Sequence, residues 1–161
     1  MIEKSDQVDI YGSGMNYHIA CEFSYMLSRI DKRVNVPEST NTRINQALLS
    51  DKTHVAVVLS HTGNTKQYEE LLHILRKKET KIIILTGYLS SKLAQLSDYK
   101  IYVMPGRKFS DMGPMFFSES TKYVLNILFA LLFTKNYRMN VDRSSEYAKM
   151  ANYEKEIKDT I

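Results

Sequence analysis

Two hydrophobic patterns alternate along this chain. Short apolar runs rich in β-branched residues are followed by segments in which apolar residues recur every three or four positions. Val8-Asp9-Ile10-Tyr11 reads as a first strand, and Ile19, Phe23, Met26, Leu27 and Ile30 mark one face of the helix after it. Met1 to Gln7 is polar and leads into that strand without an element of its own, an abruptness that suggests an excised or truncated domain. Arg33 to Val36 is a short strand stopped by Pro37, and Ser39 to Leu49 a weakly patterned helix. His54 to Leu59 is a buried strand, and Tyr68, Leu71, Leu72 and Leu75 form the apolar face of the next helix. Lys81 to Thr86 is a fourth strand, Ser91 to Leu96 a short helix and Lys100 to Met104 a fifth strand. Pro105 to Pro114 reads as an irregular loop carrying Gly106, Arg107, Lys108 and Asp111. Met115 to Asn136 follows as a long helix, apolar nearly all round from Val124 to Phe133, which implies burial on more than one side. A polar helix from about Asp142 ends the chain.

Strands alternating with helices predict an α/β fold: a doubly wound, flavodoxin-like three-layer sandwich on a five-stranded parallel sheet of order 2-1-3-4-5. In such a sheet the ligand lies beyond the carboxyl ends of the strands, where strands 1 and 3 part. At 161 residues the chain suits a single domain, 1–161, with a core of about 8–137 and a helical tail of about 142–160.

The two loops at that switch point carry the candidate chemistry. Gly12-Ser13-Gly14 with Asn16 follows strand 1, and Ser60-His61-Thr62-Gly63-Asn64-Thr65 follows strand 3. The first amides of a helix have no intrahelical partner and carry the positive end of its dipole, which suits phosphate. Gly63 permits close approach or positive φ, and Ser60, Thr62 and Thr65 can donate hydroxyl hydrogen bonds. A plainer reading is that Thr62 or Asn64 caps the helix and Gly63 makes the turn; three hydroxyls around one glycine exceed what a cap needs.

Composition narrows the remaining classes. The net charge of +4, from 22 basic and 18 acidic residues, is too diffuse to argue for nucleic-acid binding by these residues. The basic run Arg76 to Lys81 reads as a solvated helix end. One cysteine, Cys21, excludes an internal disulfide and a cysteine-based metal site, and reads as a small core residue. No signal peptide is evident, and the apolar run Tyr123 to Phe133 is too short to span a bilayer, so a cytoplasmic location without membrane contact is expected.

Strand-GxGxN-helix, strand-SxTGNT-helix and strand-ILT followed by Ser-Ser-Lys-Leu-Ala together resemble the sugar isomerase (SIS) domain over roughly Val8 to Phe133. The resemblance implies a dimer or higher oligomer that binds phosphorylated sugars. Ser60, Thr62 and Thr65 would hold the phosphate, with amides from Thr62 to Thr65, while Gly14 and Asn16 approach the sugar. The final helix, opening Phe116-Phe117-Ser118-Glu119-Ser120, is most similar to that of RpiR-type regulators, in which a helix-turn-helix domain precedes the sensor. The resemblance thus implies a sugar-phosphate sensor working without turnover. It would have no cofactor or metal, would pair as a homodimer or homotetramer through helix 115–136, and would reach DNA only through a separate helix-turn-helix domain.

Three rivals remain. An aldose–ketose isomerase of the same family would use Glu119 as base, but none of His18, His54, His61 and His73 follows it, where family isomerases carry theirs. His61 could touch a ligand, and His18 and His73 suit helix surfaces. Flavodoxin shares Thr-Gly-Asn-Thr, but on its first strand–helix unit. A dinucleotide fold on Gly12-Ser13-Gly14 lacks the third small residue, since Tyr17 stands there.

Overall fold

A computed structural model describes residues 1–106 and 112–150. Five parallel strands lie in the order β2-β1-β3-β4-β5: β1 (Gln7–Tyr11), β2 (Arg33–Asn35), β3 (His54–Leu59), β4 (Lys81–Thr86) and β5 (Tyr99–Tyr102). Val8 pairs with Val34 on one side and Val55 on the other, so β1 sits inside the sheet beside the switch point. The helices are α1 (Met15–Ser28), α2 (Thr40–Leu49), α3 (Lys66–Lys77), α4 (Lys92–Leu96), α5 (Gly113–Lys135) and α6 (Tyr137–Met150).

Side-chain alternation splits the core in two. Val8, Ile10, Val55, Val57 and Leu59 face α1 and α5, meeting Ile19, Phe23, Leu27, Phe117 and Leu125. Tyr11, Ala56, Val58, Ile82 and Ile84 face the other way, against Tyr68, Leu71, Leu72, Leu75 and Ala47. The central strands are therefore apolar on both faces, as a covered parallel sheet requires. One charge interrupts this core. Asp9, fully buried, accepts from Gln7 Nε2 and Gln46 Nε2 at 2.8 Å each, and its second oxygen lies 2.8 Å from His54 Nδ1. Those contacts join β1, β3 and α2 beneath the sheet.

Several boundaries differ from the sequence reading. Ile2–Lys4 forms a 3-10 turn whose Ile2 is buried, so the residues before β1 do have an element. The fifth strand is Tyr99–Tyr102, ending two residues short of Met104. The long helix begins at Gly113, with Pro114 in its first turn, where a missing N–H costs nothing. The last helix starts at Tyr137, because Asn140 is buried and its side chain donates to the Phe133 carbonyl at the corner between helices. Arg107, Lys108 and Asp111 of the predicted loop, and the tail from residue 151 onward, lie outside the described residues. Cys21 is only half-buried, on the flank of α1 rather than in the core.

The apolar circumference of α5 is not matched by burial within one chain. Thr121 and Leu125 are buried and Leu128, Phe129, Leu132 and Phe133 pack on the core, whereas Tyr123, Ile127 and Leu131 are 68%, 44% and 62% exposed. By length and composition this 23-residue helix could cross a membrane, which the shorter run counted in the sequence could not. Its inward side, however, is part of the domain core.

Candidate functional site

The carboxyl ends of β1 and β3 open into a cavity of about 270 Å³. Ser13 and Asn16 enter from the first loop, and Ser60, His61, Thr62 and Thr65 from the second. Asn16 Nδ2 donates to the Leu59 carbonyl at 3.3 Å and links the two loops. The far wall is Pro114, Phe117 and Ser118 of α5, with Met15 at the side and Tyr68 of α3 behind.

The second loop shows how a cap is avoided. Thr65 is the N-cap of α3, and its side chain makes no capping bond; neither Thr62 nor Asn64 takes that role. Gly14 likewise leads α1 without a side-chain cap. By contrast α2 begins with a complete capping box between Ser39 and Thr42. At the switch point α3 thus leaves its first amides and its dipole available to a ligand. Ser60 Oγ and Thr65 Oγ1 lie 3.5 Å apart, so two hydroxyls converge at that end.

The back of the loop is tied down. His61 O accepts from Gly87 N at 3.0 Å and Thr86 Oγ1 at 3.2 Å, and Gly63 O accepts from Leu93 N at 3.0 Å. Asn64 Oδ1 accepts from Lys92 N at 3.2 Å. Gly63 has φ +63°, and a Cβ there would lie 2.0 Å from Ser91 Oγ and 2.6 Å from Ser91 Cβ. Gly63 and Asn64 thus fasten the loop to α4 and do not line the cavity. Gly12 does not line it either: a Cβ on it would meet Asn16 O at 2.5 Å, so its bareness lets α1 start close to the strand. Gly14, at φ +56°, makes the turn between them.

Other side chains complete the walls. His61 Nε2 donates to the Pro105 carbonyl at 3.0 Å, and its ring centroid lies 4.9 Å from that of Phe117. Glu119 lies outside the main cavity, in an adjoining cleft lined also by His18, Glu22 and Lys122. It is 3.6 Å from Lys122, one turn away. Met15 and Ser118 border both spaces. His18 follows Met15 on α1, so the fold brings a histidine and Glu119 together although the histidine precedes it by a hundred residues. His73 is exposed, and His54 is bound to Asp9.

Phe117, Ser118 and Tyr68 were legible only as helix positions, because their contact with the cavity depends on how α5 and α3 cross the sheet. Burial pushes the Tyr68 phenol above its ordinary range, with Ser13 and the Arg43 charge opposing. Among the described residues no lysine, arginine, aspartate or glutamate lines the main cavity and no group of side chains suits a metal ion.

Residues 1–133 match the SIS domain family. The glutamine–fructose-6-phosphate aminotransferase (isomerizing) of Sulfurisphaera tokodaii is 28% identical over 130 residues, covering 81% of this chain and 22% of that protein. The HTH-type transcriptional regulator RpiR of Escherichia coli is 28% identical over 95 residues, covering 59% of this chain and 32% of the regulator. This chain therefore spans less than a third of either relative's length. Among solved structures, Vibrio vulnificus NanR complexed with ManNAc-6P superposes with a TM-score of 0.81 at 21% identity, covering 92% of this chain and 57% of that one.

The Gly63 geometry has a measurable consequence. Gly63→Ala is expected to destabilise the protein by about 1–2 kcal/mol from the positive φ alone, with the Ser91 clash added. Adding Ser91→Gly should recover the clash part only. Urea unfolding checks this, and an unchanged midpoint in Gly63→Ala contradicts it.

Proposed function

The chain belongs to the SIS domain family, and from that premise we propose that it is the phosphosugar-binding effector domain of an RpiR-type transcriptional regulator. In this reading it binds a sugar phosphate without converting it. The observation that carries the proposal is the uncapped N-terminus of α3 opening, with Ser60 and Thr65, into the switch-point cavity. The phosphate sits there, held by Ser60, Thr62, Thr65 and the first amides of the helix. The sugar extends toward Ser13, Asn16 and Ser118. Support comes from the regulators among the relatives and from the sugar phosphate named with NanR. Contact with DNA belongs to a separate helix-turn-helix domain, and the location is cytoplasmic.

A second reading, an aldose–ketose isomerase, is favoured by one observation: Glu119 and His18 share the cleft beside the cavity. A carboxylate to move the proton between adjacent carbons and an imidazole for ring opening are what that reaction needs.

A thermal-shift screen of hexose, pentose and amino-sugar phosphates separates the two. A ligand at a hundred times its Kd adds about 2.7 kcal/mol of stability. The expected outcome is that one sugar phosphate stabilises the wild type, fails to stabilise Ser60→Ala/Thr62→Ala and is recovered unconverted. Recovery as its isomer, abolished in Glu119→Gln, makes the protein an enzyme and refutes the sensor reading.

The exposed stripe of Tyr123, Ile127 and Leu131 on α5 is the homodimer contact in this proposal, since a contiguous apolar face marks an interface. The inward-facing Leu128 and Leu132, equally apolar in sequence, serve the core. Ile127→Glu/Leu131→Glu should therefore sediment as a folded monomer. A folded variant that keeps the wild-type oligomeric state refutes the assignment.

A further inference from the structure

Among the described residues no lysine, arginine or carboxylate lines the cavity, yet a cation lies directly behind its wall. Arg43, on α2, is only 8% exposed. Its Nη2 donates to the Gly12 carbonyl at 2.9 Å and to the Glu38 carbonyl. Its Nε is buried without a hydrogen-bond partner, and among the described residues no carboxylate forms an ion pair with it. The guanidinium carbon lies 5.7 Å from the centroid of the Tyr68 ring, and Tyr68 and Ser13 are walls of the cavity.

A buried charge without a counter-charge is costly, because two carbonyl dipoles and an aromatic face replace only part of its hydration. The buried carboxylate of Asp9, by contrast, has three side-chain hydrogen-bonding partners, His54 and two amides. The hydroxyls and amides of the cavity would in turn give a phosphate hydrogen bonds but, among the described residues, no lysine or arginine in the lining itself. The two deficits lie on opposite sides of one layer of side chains. A buried charge several ångströms away still acts on the site, attenuated by the protein dielectric but screened by salt much less than an exposed one.

We infer that Arg43 is the counter-charge of the anion site, a positioning residue that holds the Gly12 turn and offsets the phosphate's charge from behind Ser13 and Tyr68. The inference rests on the phosphate reading of the cavity. It adds that the cation serving the anion comes from α2, outside both glycine–hydroxyl loops, and makes no direct contact with the ligand.

The test is the Kd for inorganic phosphate of wild type, Arg43→Lys, Arg43→Gln and Ser60→Ala/Thr65→Ala, with apo melting temperatures recorded alongside. Arg43→Gln, which keeps an amide donor for the Gly12 carbonyl, is expected to weaken phosphate binding by about tenfold or more at an effective dielectric of about 20. Arg43→Lys, which keeps the charge, should lose about threefold or less. A purely structural role would lower the melting temperatures and leave Kd within about twofold of wild type, which overturns the inference. Equal losses in Lys and Gln would assign the effect to the lost hydrogen bonds and overturn it as well. If Ser60→Ala/Thr65→Ala binds phosphate as wild type does, the anion is not in this cavity, and the parent reading falls together with the inference. Loss of binding in the hydroxyl variant with none in Arg43→Gln removes the inference alone.

Discussion

The site depends on how the Ser60–Thr65 loop is held from behind. Its carbonyls at His61 and Gly63 accept from Gly87, Thr86 and Leu93, and Asn64 caps the start of α4. With the rear of the loop bound to β4 and α4, its front is held still while the amides of α3 remain uncapped. A ligand then meets donors whose ordering is already complete, and preorganisation of that kind lowers the entropic cost of binding. Gly63 is the hinge of the arrangement: the same backbone turned away from Ser91 would point the amides elsewhere.

Below the loops, Asp9 fixes the relation of the two strands that carry them. One carboxylate gathers β1 through Gln7, α2 through Gln46 and β3 through His54. Helix α2 then contributes Gln46 to Asp9 and, one turn earlier, Arg43 to Gly12. The first loop is therefore set by an element that does not border the cavity. On the opposite face α5 supplies Pro114, Phe117 and Ser118 to the cavity at its start and an exposed apolar stripe further on. In the proposed assembly a ligand that shifts α5 would bias how two chains pack, and only to the extent that it binds the two arrangements with different affinity.

The full strand order and both loops are legible in the sequence because the cues are local: β-branched runs, helical periodicity, and glycine with hydroxyls between them. The roles of individual loop residues were not. Asn64 and Gly63 read as ligand contacts, yet their partners are the amides of Lys92 and Leu93, about thirty residues on, and no local pattern announces that pairing. Arg43 sits on a weakly patterned helix and gains its meaning from Gly12, 31 residues earlier. Chain order, with His18 ahead of Glu119, gives no sign that folding brings the two to one cleft. Pro114 reads as the end of a loop, yet it stands in the first turn of α5, a position that suits proline.

The most direct test of the central claim is an amide NMR titration of the folded protein with inorganic phosphate. The account predicts saturable shifts concentrated at the amides of Thr62 to Gln67, lost in Ser60→Ala/Thr65→Ala. Shifts centred instead on the basic residues at the opposite end of the sheet, Lys52, Arg76 and Lys81, with the α3 amides unmoved, would contradict it.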